Sequence, residues 1–288
     1  MSFAPDLLAG HHIVVTGGGS GLGRSMAERF ASLGARVTVC GRRPEPLEET
    51  TAAIRDAGGE AFGVSCNVRE SEAVGEAFEQ AEAEQGPITR LVNNAAANFL
   101  APSHQISDNG FDAIVKTNLY GSFYATRWCG QKWIKRAGAD GKADGGVVSI
   151  ATTYAEMGSA FVLPSAVSKA GIVAMTKSLA AEWGVYNIRL NAIAPGPFPT
   201  EGAWKRLVPD ESMQEDWKKR VPLRRFGEHE ELANCAAFLL SDLSSYLTGT
   251  MVTLDGGEVL NTGGQFNHFT SLPREGMLAA FEMMKPSK

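Results

Sequence analysis

The clearest chemical signal lies in "TTYAEMGSAFVLPSAVSK", residues 152 to 169. Ser165 stands four residues before Lys169, and Tyr154 stands fifteen before it. A spacing of four puts Ser165 and Lys169 on one face of a helix, and Pro164 suits that helix's first turn. Two hydroxyls therefore compete to be the proton donor served by one ammonium. A phenol titrates at about 10 and is made a better acid by a nearby ammonium. A serine hydroxyl is a far weaker acid. Acidity thus favours Tyr154 and leaves Ser165 as a hydrogen-bond donor or positioner.

A second cluster suits a dinucleotide. "TGGGSGLG", Thr16 to Gly23, follows the β-branched run "HIVVT" and precedes a helical pattern. Gly17, Gly21 and Gly23 permit a tight turn and a close approach to a pyrophosphate, and Ser20 and Leu22 lie in the same turn. The following helix offers N–H groups and partial positive charge. After the second run, "RVTVC", an acid selective for a ribose 2′-hydroxyl is expected. Gly41 stands there instead, followed by Arg42 and Arg43, and the first acid is Glu45. Two guanidiniums without a carboxylate suit a 2′-phosphate, and so NADP(H). Asn67, with Val68 beside it, ends the third run and is a candidate for the adenine ring. In "NNAAANF", from Asn93, small residues let a cofactor lie against a strand end, with Asn94 and Ala95 in reach. Asn93 reads equally as a structural amide bridging strands.

The elements that must position these residues alternate along the chain. "HIVVT", "RVTVC", "AFGVSC", "ITRLVNN", "GVVSIAT", "IRLNAIAP" and "MVTLDGG" read as strands. Helical patterns cover about 22–33, 47–56 and 71–85, a long stretch containing Asn118, and the segment carrying Lys169. This rhythm predicts right-handed βαβ units and an α/β fold. The expectation is a Rossmann-like doubly wound parallel sheet of about seven strands, in a single domain over 1–288. Residues 197–226 break the rhythm with four prolines, Trp204 and Trp217, and read as a helical substrate lid. "GADGKADGG", Gly138 to Gly146, reads as a flexible loop.

Composition narrows the class. The 288 residues carry a net charge of -5, which argues against a general nucleic-acid binder. No apolar run approaches membrane-spanning length. The first strand begins within about a dozen residues, so no signal or transit peptide is expected. Cys40, Cys66, Cys129 and Cys235 form no C-x-x-C pair and read as buried small hydrophobes in a reducing compartment. The five histidines show no metal spacing, so no metal site is expected.

The order of these motifs resembles the short-chain dehydrogenase/reductase superfamily over essentially the whole chain. Its features here are a Gly-rich turn, "NNAA", Asn118 in "NLYG", a strand ending in Ser or Thr, a helical lysine and then "PGP". The usual active site of that family has a Ser, then a Tyr four residues before a Lys. The matching positions here are Thr152, Ser165 and Lys169, so the tyrosine is absent from its usual place. "YAEMGSAFVLPSAVSKAG", "SLAAEWG", "PGPFPTEGAWKRL", "NNAAANF" and "GGQFN" are similar to the NADPH-dependent 2,4-dienoyl-CoA reductases of the mitochondrial type. In that subfamily the tyrosine stands at the position of Tyr154 and a serine at that of Ser165. Asn67 replaces the family's usual aspartate.

The resemblance implies reduction of an acyl-CoA thioester by NADPH. Tyr154 and Asn118 would hydrogen-bond the thioester oxygen of a dienolate. Lys169 would hold the nicotinamide ribose, and Ser165 would contact Lys169, the cofactor or the thioester. Pro195 and Gly196 would join the cofactor contacts. A cytoplasmic bacterial homotetramer is the implied setting, with the Asn118 helix and the last strand at interfaces. No nucleic-acid or membrane partner is implied. Met157, Phe161, Leu163 and Phe99 read as acyl channel or as core, and Lys205 and Arg206 as a clamp for CoA phosphates or as ordinary surface. Two other readings stay open: a carbonyl reductase or alcohol dehydrogenase, and a dinucleotide-binding sensor without turnover.

Overall fold

The computed structural model describes residues 3–200, 211–263, 267–271 and 273–283. Seven strands form one sheet: β1 (His12–Thr16), β2 (Arg36–Gly41), β3 (Glu60–Ser65), β4 (Arg90–Asn93), β5 (Gly146–Ile150), β6 (Arg189–Pro195) and β7 (Met251–Leu254). Their order is β3-β2-β1-β4-β5-β6-β7, and every neighbouring pair is parallel. This is the doubly wound Rossmann-type sheet expected from the alternation. β1 pairs with both β2 and β4, so the chain order reverses beside it. Such a reversal opens a crevice at the carboxyl ends of the strands, where ligands bind in this class of fold.

The central strands β1, β4 and β5 are buried throughout because helices cover both faces. On one face Ile13 and Val15 pack with Met26, Ala27 and Phe30 of α1 (Gly21–Ser32), Leu47 and Ile54 of α2 (Pro44–Asp56), and Leu232 and Ala236 from near the C-terminal strand. On the other, Val14 and Leu91 pack with Val74 and Phe78 of α3 (Ser71–Gln85) and with Cys129 and Trp133. Alternate residues of one strand thus feed two cores. Helix α2 begins at Pro44 rather than at the expected Leu47. Pro44 lacks the N–H that a first turn leaves unpaired, and Glu45 favours the helix N-terminus.

The long helix around Asn118 is three pieces: α4 (Asp108–Val115), a π-helical turn (Lys116–Tyr120) and α5 (Gly121–Arg136). After β5 come α6 (Tyr154–Met157) and α7 (Leu163–Trp183). The remaining helices are α8 (Glu211–Arg220), α9 (His229–Leu240), α10 (Glu258–Gly263) and α11 (Arg274–Met283). The expected lid contains α8, whereas Trp204, Lys205 and Arg206 lie outside the described residues. Residues 264–266 of "GGQFN" lie outside them too.

At the end of the sheet away from the crevice, the buried His12 ring lies 2.7 Å from the Gly86 carbonyl and 2.9 Å from Thr38 Oγ1. Desolvation lowers its pKa to about 4. The four cysteines are free, and Cys40, Cys66 and Cys129 are buried. Among the described residues no helix is long and apolar enough to cross a membrane.

Candidate active site

At the carboxyl ends of β1 and β4 lies a cleft of about 480 Å³. It brings together Gly17, Ser20, Gly21, Leu22, Gly23, Arg42, Arg43, Val68, Asn94 and Ala95. The turn that forms its floor requires glycine, as Gly17 and Gly23 show. Gly17 has a φ of +66°, a conformation costly for any residue with a Cβ. A Cβ on Gly23 would lie 2.2 Å from the Gly17 carbonyl oxygen and 2.5 Å from Asn94 Nδ2. The first turn of α1 therefore seats directly on the loop. No acid stands in that turn, and the Ser20 side chain does not cap it. Among the described residues its first N–H groups have no partner, as suits an anion site.

Asn94 braces this floor. Its Nδ2 donates to the carbonyls of Thr16, at 3.0 Å, and Gly17, at 3.1 Å. Thr16 Oγ1 in turn accepts the N–H groups of Asn94 and Ala95, each at 3.0 Å. Arg42 and Arg43 are exposed at the cleft rim, and neither has a carboxylate partner among the described residues. The arrangement fits a dinucleotide, for which the N-terminus of α1 offers N–H groups and the two rim guanidiniums offer positive charge.

Four expected cofactor contacts do not line this cleft. Asn67 is turned to its own loop, where Nδ2 donates to Glu70 Oε1 at 2.6 Å and Oδ1 accepts from the Arg69 N–H at 3.4 Å. Pro195 ends β6. Gly196 donates its N–H to the Leu254 carbonyl at 2.9 Å, and a Cβ there would be 2.6 Å from the Asp255 side chain. Lys169 belongs to the second cluster.

That cluster lies past β5. Tyr154 opens the one-turn helix α6, and its hydroxyl is 3.1 Å from Ser165 Oγ. Ser165 is in the first turn of α7 and 2% exposed. One turn on, Lys169 is buried, and its Nζ donates to the Ile150 carbonyl at the end of β5. Desolvation lowers the Lys169 pKa to about 8. Helix α7 thus carries the lysine and, through Ser165, holds the phenol of Tyr154. Thr152, at the family's serine position, is half-buried.

Asn118 sits in the π-helical turn and is fully buried. Its Oδ1 accepts the Ala97 N–H at 2.8 Å, and its Nδ2 donates to the Ala97 carbonyl and to Ser168 Oγ, both at 3.1 Å. Both amide hydrogens and the oxygen are engaged inside the protein. The neighbour of Ala97 is Asn98, which is exposed and places Nδ2 3.4 Å from the Tyr154 hydroxyl. Sequence reasoning passed over Asn98, although it is the third asparagine of "NNAAANF". Asn93 adopts its structural alternative, with Nδ2 donating to Thr126 Oγ1 at 2.8 Å and to Ser149 Oγ at 3.3 Å.

Met157, Phe161 and Leu163 are 51%, 57% and 41% exposed, so they are not core, and Phe99 is half-buried. The Phe161 carbonyl accepts the Ala101 N–H at 2.9 Å. That bond ties the Tyr154 segment to the segment carrying Asn98.

A family model described as enoyl-(acyl carrier protein) reductase matches residues 17–258. The chain belongs to the short-chain dehydrogenase/reductase superfamily. It is therefore an oxidoreductase of a family that uses NAD(P). A probable 2,4-dienoyl-CoA reductase of Bacillus subtilis, named as (2E)-enoyl-CoA-producing, is 40% identical over 86% of this chain and 96% of its own. A probable 2,4-dienoyl-CoA reductase of Caenorhabditis elegans, named as (3E)-enoyl-CoA-producing, is 40% identical over 90% of this chain and 82% of its own. The crystal structure of a putative 2-deoxy-D-gluconate 3-dehydrogenase from Agrobacterium tumefaciens, with bound NADP, superposes with a TM-score of 0.80. It is 31% identical and covers 90% of this chain and 100% of its own.

Proposed function

We propose that this short-chain dehydrogenase/reductase uses NADPH to reduce 2,4-dienoyl-CoA thioesters to 3-enoyl-CoA, in the β-oxidation of unsaturated fatty acids. The observation that carries the reading is the pairing of the Tyr154 hydroxyl with the Asn98 amide. A ketone reductase of this family keeps its phenol four residues before the lysine, on the lysine's own helix. Here Ser165 takes that place and instead buttresses a phenol on α6. Two neutral polar groups brought together from separate segments suit one oxygen that gains charge during reaction.

When bound, NADPH supplies a hydride to the δ carbon of the conjugated acyl group. Tyr154 and Asn98 then hydrogen-bond the thioester oxygen to which the negative charge moves. Of the two asparagines considered for that role, Asn98 is favoured because Asn118 has no amide hydrogen to spare. Asn118 acts through others, clamping Ala97 beside Asn98 and, through Ser168, the turn that carries Ser165. The ammonium of Lys169, which here donates to the Ile150 carbonyl, would hold the nicotinamide ribose and supply positive charge. Protonation at the α carbon, from Tyr154 or water, completes the 3-enoyl thioester, whereas γ protonation would give the 2-enoyl isomer. The exposed Met157, Phe161 and Leu163 receive the acyl chain. Exposed Tyr120, Phe123 and Val167, on and beside α5 and α7, support association as a homotetramer.

The test is NADPH oxidation by purified protein with 2,4-hexadienoyl-CoA and 2,4-decadienoyl-CoA, with a 3-ketoacyl-CoA as control. Turnover of the dienes alone is expected. Turnover of the ketone alone would establish the carbonyl reductase reading instead.

A further inference from the structure

One histidine ties three separate segments together at the edge of the dinucleotide cleft. His229 is the first residue of α9. Its Nε2 lies 2.6 Å from the Pro199 carbonyl oxygen, and its Nδ1 lies 2.9 Å from Ser25 Oγ. A carbonyl only accepts, so Nε2 carries the ring proton. In the neutral ring Nδ1 then accepts from the Ser25 hydroxyl. Ser25 Oγ also stands 3.2 Å from the Gly21 carbonyl, but one hydroxyl hydrogen serves one acceptor at a time, and the imidazole contact is the shorter.

Both partners bear on the cleft. Ser25 lies early in α1, the helix whose N-terminus faces the expected pyrophosphate. Pro199 precedes Thr200, which lines the cleft opposite that N-terminus. Thr200 Cγ2 lies 3.3 Å from where a Cβ on Gly21 would stand. The approach to Pro199 is fastened separately. The Gly227 N–H donates to the Pro197 carbonyl at 3.1 Å, and the Phe198 ring fills the space beside Gly227, 2.4 Å from where a Cβ would be. Those contacts end at Phe198. The His229 bond is the next tie along the chain, one residue before Thr200.

We propose that His229 is a positioning residue for the dinucleotide. It locks Thr200 over the N-terminus of α1, so that this wall of the cleft is ordered before the cofactor arrives. Ordering a segment in advance lowers the cost of binding without adding a contact to the ligand. The proposal rests on the reading of this cleft as the dinucleotide site, and it does not depend on which acyl substrate is reduced.

The test compares NADPH dissociation constants, from fluorescence titration, for the wild type and for His229→Ala, His229→Gln and Ser25→Ala. His229→Ala is expected to weaken NADPH binding about tenfold, equivalent to about 1.4 kcal/mol. Its kcat at saturating NADPH should stay close to that of the wild type. His229→Gln should recover most of the affinity, because an amide can donate to Pro199 and accept from Ser25. Ser25→Ala should also weaken binding, and a Ser25→Ala/His229→Ala double variant should be no weaker than His229→Ala, since both changes break one tie. An unchanged dissociation constant in His229→Ala would overturn the proposal. So would equal losses in the Ala and Gln variants, which would show a packing role only. Should His229→Ala fail to fold, unchanged affinity in Ser25→Ala would overturn it. No NADPH binding by the wild type would overturn the reading of the cleft, and the proposal with it.

Discussion

Tyr154→Phe removes one oxygen and keeps the ring, so the packing of α6 on α7 survives. Two groups lose a partner: Asn98 Nδ2, at 3.4 Å, and Ser165 Oγ, at 3.1 Å. Asn98 is exposed and turns to water. Ser165 is 2% exposed and keeps a hydroxyl with one fewer partner, a loss of about 1 kcal/mol of folding stability. The melting temperature should therefore fall by only a few degrees. The catalytic cost is larger, because one donor to a developing oxyanion is worth about 3–4 kcal/mol, or about two to three decades in kcat. The hydroxyl does not line the dinucleotide cleft, so NADPH affinity should be unchanged. The assay is NADPH absorbance decay with 2,4-hexadienoyl-CoA at saturating NADPH, beside a cofactor titration and a thermal melt. Full turnover by a folded Tyr154→Phe enzyme would remove the phenol from the mechanism. A collapse of cofactor affinity would show that Tyr154 serves binding instead.

The two asparagines should separate by readout. Asn98→Ala should lower kcat about a hundredfold at little cost in stability, while Asn118→Ala should lose about 3 kcal/mol of stability through three buried hydrogen bonds, by denaturant titration. Removing both guanidiniums in Arg42→Ala/Arg43→Ala should raise the NADPH dissociation constant about ten- to a hundredfold, and leave NADH affinity unchanged. Lys169 has its pKa lowered to about 8 by burial, so its ammonium is lost as pH rises. Accordingly kcat/KM for NADPH, measured across pH, should fall above that value. His12 is held neutral down to about pH 4 by burial, and unfolded histidine titrates at about 6.5. Between these values the unfolded chain binds more protons, so stability is full above the upper value and falls with acidification. Denaturant titration from pH 7 to 5 should show about 2 kcal/mol lost by the wild type beyond the loss in His12→Gln.

The sheet was legible because each strand is a short β-branched run between helical patterns, and parallel pairing follows from that alternation. The glycine turn that floors the cleft was legible for a similar reason: Gly17 and Gly23 are demanded by local backbone geometry. The roles of the asparagines were not. Asn98 and Asn118 differ in which amide faces outward, and that depends on the path of the loop after β4 against the π-helical turn, which residue spacing does not encode. Asn67 was expected at the adenine, but Glu70 three residues on captures its amide. Asn94, expected as a cofactor contact, lines the cleft and braces the glycine turn. His229 drew no attention because its partners Ser25 and Pro199 lie 204 and 30 residues away.

The most direct test of the account follows the two hydrogens added to the substrate. Reduction of 2,4-hexadienoyl-CoA with NADPH deuterated at the transferable position, analysed by mass spectrometry and NMR, should place the label on the δ carbon. A solvent-derived proton should appear on the α carbon of a 3-enoyl product. Label on a carbonyl carbon, or its absence from the δ carbon, would contradict hydride delivery to a conjugated thioester held by Tyr154 and Asn98.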